Sequence, residues 1–203
     1  MERVITYIDG FNLYHGLRSK YGRKYIWLDI EKLSQQLLHN GQSLEKVKYF
    51  TAMIRDNPSK EFRQKTYISA LSTLSKVEIY YGKYLVNQHI CPNCNYVENI
   101  PSEKMTDVNI ATHIMTDAFT DKYDVAFIIT ADSDLTGPIQ TVKELFSKKK
   151  IVVAFPPDRV SLDLIRIAPA FIHIGRRKLE TSQLPNEILL NNNTRLVRPV
   201  SWH

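Results

Sequence analysis

Cysteine is scarce in this 203-residue chain, which has only two, Cys91 and Cys94. So few cannot build the disulfide framework of a small secreted domain. No apolar run reaches the roughly 18 residues that a membrane helix needs. The opening Met1-Glu2-Arg3 leads straight into an apolar run, without the pattern of a signal peptide. A cytoplasmic location without membrane association is therefore expected. Repeats are missing, and the one low-complexity tract is Asn191-Asn192-Asn193. A Walker loop, a His-Glu-x-x-His pair and a dinucleotide glycine fingerprint are also absent, which disfavours ATP hydrolysis, zinc proteolysis and dehydrogenation. The first strand lacks the Asp-x-Asp of many aspartyl phosphatases, because Gly10-Phe11 follows Asp9. Negative charge runs short: 21 acids stand against 27 Lys and Arg, a net charge of +6. Such a balance suits a polyanionic partner, nucleic acid above all.

What is present is organised around acids that follow apolar runs. Val4-Ile5-Thr6-Tyr7-Ile8 ends on Asp9, and Val125 to Thr130 leads to Asp132 and Asp134. Apolar runs at 3–8, 47–54, 77–86, 124–130, 151–155 and 171–174 read as strands buried on both faces. Helical periodicity falls between them, at 29–39, 59–75, 107–119 and 138–147. Asp29 and Thr106 are suited to helix caps, and Pro138 to a first turn. This alternation predicts an α/β domain with a mainly parallel sheet over residues 1–175, followed by a C-terminal extension, 176–203. Ligands of such sheets sit beyond the carboxyl ends of the strands, where the strand order reverses. If the first and fourth strands are neighbours there, the acids converge.

A buried carboxylate is costly unless it is neutralised. A hard divalent cation, which takes oxygen ligands, is the economical neutraliser for Asp9, Asp132 and Asp134. Asp107 opens the helix at 107–119, where the macrodipole favours negative charge. Each acid alone reads better as a turn or a helix cap than as a ligand. Together, with two of the three sites directly behind buried strands, they favour a metal centre. Carboxylates holding Mg²⁺ or Mn²⁺ support phosphodiester hydrolysis by activating water and stabilising charge on the phosphate. Asn12, Thr130 and Ser133 are polar neighbours able to orient water or the acids, and Lys104 could contact phosphate.

Three segments carry a family resemblance: Tyr7-Ile8-Asp9-Gly10-Phe11-Asn12-Leu13, Glu103-Lys104-Met105-Thr106-Asp107-Val108 and Ile129-Thr130-Ala131-Asp132-Ser133-Asp134-Leu135. In this order they resemble the NYN domain family, PIN-like nucleases of the bacterial LabA-like branch, over about residues 3–174. The resemblance implies a PIN-like three-layer sandwich and metal-dependent ribonuclease chemistry. It matches Asp9, Asp107, Asp132 and Asp134 to the acidic positions and Asn12 to the asparagine of the first motif. It also leads one to expect an acid before the last strand, where this chain has Pro169.

His89-Ile90-Cys91-Pro92-Asn93-Cys94 has zinc-knuckle spacing, but a structural site wants four ligands. Cys91, Cys94 and His89 would supply three, so zinc competes with a plain turn, and the segment is expected to protrude beside the cleft. Arg18, Lys20, Arg23 and Lys24 interleave with Tyr21, Tyr25 and Trp27, and Arg55, Lys60, Arg63 and Lys65 follow the second strand. Basic grooves with stacking rings hold single-stranded nucleic acid, which makes these residues a candidate RNA path. His15 and His113 are read as structural. The leading expectation is a metal-dependent ribonuclease. The alternative is a non-catalytic RNA- or protein-binding module on the same scaffold, and a homo-oligomer is compatible with either.

Overall fold

The computed structural model describes residues 1–55, 57–90, 92–190 and 194–202. From the N-terminus, β1 (Glu2–Asp9), α1 (Gly10–Tyr21), α2 (Ile30–Gln35), β2 (Gln42–Thr51), α3 (Pro58–Leu71) and β3 (Val77–Tyr81) alternate as expected. A two-stranded arm follows, β4 (Lys83–Ile90) and β5 (Val97–Lys104). Then come α4 (Thr106–Phe119), β6 (Val125–Ile129), α5 (Thr136–Leu145), β7 (Lys150–Phe155), α6 (Leu162–Ile167), β8 (Ala170–His173) and α7 (Arg176–Thr181). The short hairpin β9 (Glu187–Leu189) and β10 (Arg195–Val197) precedes a final 3₁₀ turn at Val200–Trp202.

Six strands form one parallel sheet in the order β3-β2-β1-β6-β7-β8. Its interior strands are apolar on both faces because both faces are covered. Val125, Phe127 and Ile129 of β6 enter one core with α1, α2 and α3, while Ala126 and Ile128 enter a second core with α4 and α5. The result is the three-layer α/β sandwich of a PIN-like fold. The strand order reverses between β1 and β6, so the carboxyl ends of these two neighbours define the cleft.

The run 77–86 is one apolar stretch in the sequence but two strands in space. The chain turns out of the sheet at Gly82, where a Cβ would lie 2.6 Å from both Lys104 O and Thr106 Oγ1. Only glycine permits that approach, and it pins both ends of the arm beside the start of α4. Thr106 is not the cap of α4. Met105 takes that place in a left-handed conformation (φ 74°), and the Thr106 hydroxyl donates to Glu103 instead. The segment beyond residue 175 packs onto the first core. Leu179, Leu184 and Trp202 are buried in it. Trp27 Nε1 donates to Pro185 O at 2.8 Å, and Leu184 N donates to Trp27 O at 3.1 Å. Pro169 stands at the amino end of β8, the opposite edge of the sheet from the acids, so an acid there would not reach them.

Candidate metal centre

Three helical N-termini follow from the sheet's own geometry. β1 ends on Asp9 and runs directly into α1. One Asp9 oxygen, Oδ1, accepts from Asn12 N at 2.9 Å, so Asp9 caps the helix. β6 is followed by Asp132, which caps a 3₁₀ turn by accepting from Asp134 N at 3.0 Å. Asp107 sits in the first turn of α4. The cap and the cluster are therefore one arrangement, because the strand ends that face the cleft are also the helix starts that stabilise negative charge. Gly10 makes the close turn: a Cβ there would meet the Tyr49 ring at 2.6 Å and Phe50 O at 2.7 Å.

Asp9, Asp107 and Asp132 each present a carboxylate oxygen, and these oxygens lie within 4.8 Å of one another. Thr130 stitches the pair of strands together. Its hydroxyl donates to Asp9 Oδ2 at 3.1 Å and accepts from Asp132 N at 3.1 Å. Asn12 does the same from α1, its Oδ1 accepting from Ala131 N at 3.1 Å. Among the described residues, none of the three acids has an ion pair. Burial, with the charges of Asp107 and Asp132, raises the Asp9 pKa to about 6 against the bonds from Asn12 and Thr130. Burial also raises Asp107, helped by Asp132 and Asp134. A hard donor set with unrelieved mutual repulsion fits a divalent cation.

The acids face a cleft of about 830 Å³. Arg18, Lys60, Arg63, Lys104 and Arg159 line it, so a basic wall faces the acidic one. Asp134 stands outside the three-acid group, exposed at the first turn after Asp132. Ser133 is exposed beside it. Of the residues read as an RNA path, Arg18 lines the cleft; Lys20, Arg23, Lys24 and Arg55 do not. Each residue of α1 advances about 1.5 Å, which carries Lys20 and the turn after it away from Asp9. His89 and Cys94 are exposed on the arm, and Cys91 lies outside the described residues. The arm's base lines the cleft through Tyr84, Glu103 and Lys104.

Lys60 and Arg63, read with Arg55 as the second part of the RNA path, do line the cleft, whereas sequence reasoning passed over Arg159 and gave Glu103 no role. Burial lifts the Glu103 pKa to about 7, against the Thr106 bond and with Asp9 adding to the rise. Glu103 did carry a signal, since it opens the second motif. Arg159 carried none, being an isolated basic residue in the loop after β7.

The fold is that of an α/β protein of PIN-like architecture with an acidic trio, a candidate metal site, at the switch point of its parallel sheet. The chain belongs to the NYN domain family, whose model matches residues 3–175, and so falls in the PIN-like nuclease superfamily. It is 28% identical over 240 aligned residues to 6-hydroxy-3-succinoylpyridine 3-monooxygenase HspA of Pseudomonas putida, an alignment covering 99% of this chain and 75% of that protein. A protein of unknown function from Vibrio parahaemolyticus has a similar crystal structure, with a TM-score of 0.59 and 17% identity, covering 86% of this chain and 94% of that one. That likeness speaks to fold alone. No helix among the described residues is long and apolar enough to cross a membrane.

Proposed function

We propose that this protein is a metal-dependent ribonuclease. The observation that carries the reading is the convergence of Asp9, Asp107 and Asp132 oxygens within 4.8 Å at the cleft. These three would hold Mg²⁺ or Mn²⁺, with Asp134 within electrostatic reach at the rim. When bound, such an ion lowers the pKa of water and offsets charge on an attacked phosphate. The protein's own groups do the rest. Thr130 and Asn12 hold the two strand ends in register, which fixes the spacing of Asp9 and Asp132. Arg18, Lys60, Arg63, Lys104 and Arg159 draw a phosphate backbone towards the acids. Glu103 keeps a proton to about pH 7 in the same cleft and is a ready proton store.

Cleavage of single-stranded RNA with Mn²⁺ tests the reading. Asp132→Asn is expected to reduce the rate by at least about a hundredfold, with thermal unfolding still cooperative. Undiminished cleavage by that variant, in nuclease-free preparations, overturns the proposal. Binding of RNA and Mn²⁺ without turnover would point to the binding module instead.

The similarity to a hydroxypyridine monooxygenase across nearly the whole chain favours a second reading, oxidation of a small aromatic substrate. That reaction needs dioxygen and an electron donor. An oxygen electrode with 6-hydroxy-3-succinoylpyridine and a reduced nicotinamide or flavin decides it, with substrate-dependent uptake as the positive result. The all-carboxylate donor set is the reason to place hydrolysis first.

A further inference from the structure

The cleft does not end at the acids. Its lining continues from Asp9 past Tyr49 and Tyr67 to Ile26 and Trp202. These rings touch in sequence. Tyr49 and Tyr67 have centroids 6.3 Å apart at 87°, and Tyr67 and Trp202 lie 6.0 Å apart at 76°. Trp27 backs the end of the row, 6.1 Å from Trp202. Trp202 stands beyond the residues that the family model matches. It is held in place by Arg198, whose Nη2 donates to Trp202 O and, at 3.1 Å, to Lys24 O. The inner end is thus apolar and aromatic, while Arg18, Lys60, Arg63 and Arg159 supply positive charge to the lining of the same cleft. Among the described residues, none of those four cations is paired with a carboxylate.

We propose that the inner end is a subsite for one flat aromatic ring carrying an anionic group, closed by Trp202 from the segment outside the family domain. The ring would lie against Tyr67 and Trp202, and its anion would meet the basic wall. The whole cleft, from the acids to the aromatic rings, is about 830 Å³, within the roughly 300–1,000 Å³ range of pockets that take a small organic ligand. Aromatic walls with a few placed charges are also what such pockets use. Taking the anion to be a phosphate rests on the hydrolytic reading above; the ring site rests on the cleft alone.

The test needs no turnover. The full chain, with chelator and without metal, is titrated with uridine 5′-monophosphate and with ribose 5-phosphate, which has the anion but no ring. Heat release gives Kd. Emission from Trp27 and Trp202, the only two tryptophans, reports the inner end. The nucleotide is expected to bind at least tenfold tighter and to change the emission, while ribose 5-phosphate leaves it unchanged. Trp202→Ala should erase the preference and Trp202→Phe keep most of it, with circular dichroism confirming the fold. Equal Kd values for the two ligands on the unaltered chain, with no change in emission, overturn the subsite whatever the variants do. An octauridylate that binds at least as well as the monophosphate assigns the ring to a base within RNA. One that binds tenfold worse keeps the subsite and assigns it to free nucleotides. Ring-dependent binding without RNA cleavage leaves the subsite standing and removes the ribonuclease; cleavage with ring-blind binding does the reverse.

Discussion

Two aspartates lie at almost the same depth, Asp9 at the end of β1 with 5% exposure and Asp117 in the last turn of α4 with 7%. Asp117, on α4, has its own cation. Lys48 Nζ, reaching across from β2, lies 2.6 Å from it, and the Tyr7 hydroxyl donates to the same oxygen at 2.7 Å. Lys48 also sits 3.2 Å from His113 Nδ1 and over the rings of Tyr7 and Tyr80. Asp9 has two hydrogen bonds and two acids for neighbours, and no cation among the described residues. One buried charge was neutralised by the chain itself. The other has no counter-charge among the described residues, as the proposed cation site requires. Sequence neighbours do not explain the contrast, since neither an acid that ends a buried strand nor one in the last turn of a helix shows locally what faces it. The cleft does: Asp9 faces 830 Å³ of open space, and Asp117 faces packed side chains.

Removing the cation from the paired site should have the largest effect. Lys48→Met leaves Asp117 buried with a hydroxyl and no counter-charge. Breaking a buried pair from one side costs about 3–5 kcal/mol, so the melting temperature should fall by about 10 °C. Replacing both partners, Lys48→Met with Asp117→Leu, should recover most of the loss, since apolar groups of similar volume substitute well for a buried pair. A loss below about 1 kcal/mol in denaturant titration would show that the pair is dispensable and that the comparison is only geometric.

At the unpaired site the sign reverses. The Asp9 pKa is raised to about 6, chiefly by burial, from the ordinary value near 3.9. The folded state therefore binds more protons than the unfolded state between those values, and stability falls as pH rises through the window. Above pH 6 the penalty is complete. Two units at about 1.4 kcal/mol each make it about 3 kcal/mol. Asp9→Asn should accordingly stabilise the metal-free protein by about 2–3 kcal/mol at pH 8, and by less than about 1 kcal/mol at pH 4. Mn²⁺ should stabilise the unaltered chain at pH 8, by about 2.7 kcal/mol at a hundred times its Kd, and leave the variant unmoved. Asp9→Asn that destabilises equally at both pH values would place Asp9 with Asp117, as a structural acid.

The two sites also differ in how legible they were. Asp9, Asp132 and Asp134 could be picked out because a strand pattern running into an acid is a local signal, and the sheet rule says where strand ends meet; Asp107 carried the mark of a helix start. Asp117 could not, because an aspartate in the last turn of a helix has no local mark of its partner, and Lys48 is 69 positions away. The same limit explains the basic wall. Arg18, Lys60 and Arg63 were found through their runs of basic neighbours, whereas Arg159 joins them only in space. The parallel sheet followed from its buried strands. Helix α1 was hidden behind the motif at its start, and the break at Gly82 was hidden inside a continuous apolar run.

The smallest test concerns a single hydroxyl. Thr130 is fully buried, donates to Asp9 Oδ2 and accepts from Asp132 N. Thr130→Val keeps the shape and deletes both bonds. A bond to a charged partner contributes about 1.5–3 kcal/mol, but only while that partner is charged. The Thr130 bond lowers the Asp9 pKa, so losing it should push that pKa above 6 and widen the window in which the folded state holds the extra proton. The loss should therefore be about 1–2 kcal/mol at pH 8 and about half that at pH 4, where Asp9 is protonated in the folded state and the remaining loss is the Asp132 amide left without its acceptor. Mn²⁺ affinity should fall as well, since the two strand ends are no longer tied. Denaturant titrations at the two pH values read the first effect and calorimetry reads the second. A loss that is equal at both pH values, with Mn²⁺ binding intact, would mean that Thr130 only fills space and that the acids are held together by the sheet alone.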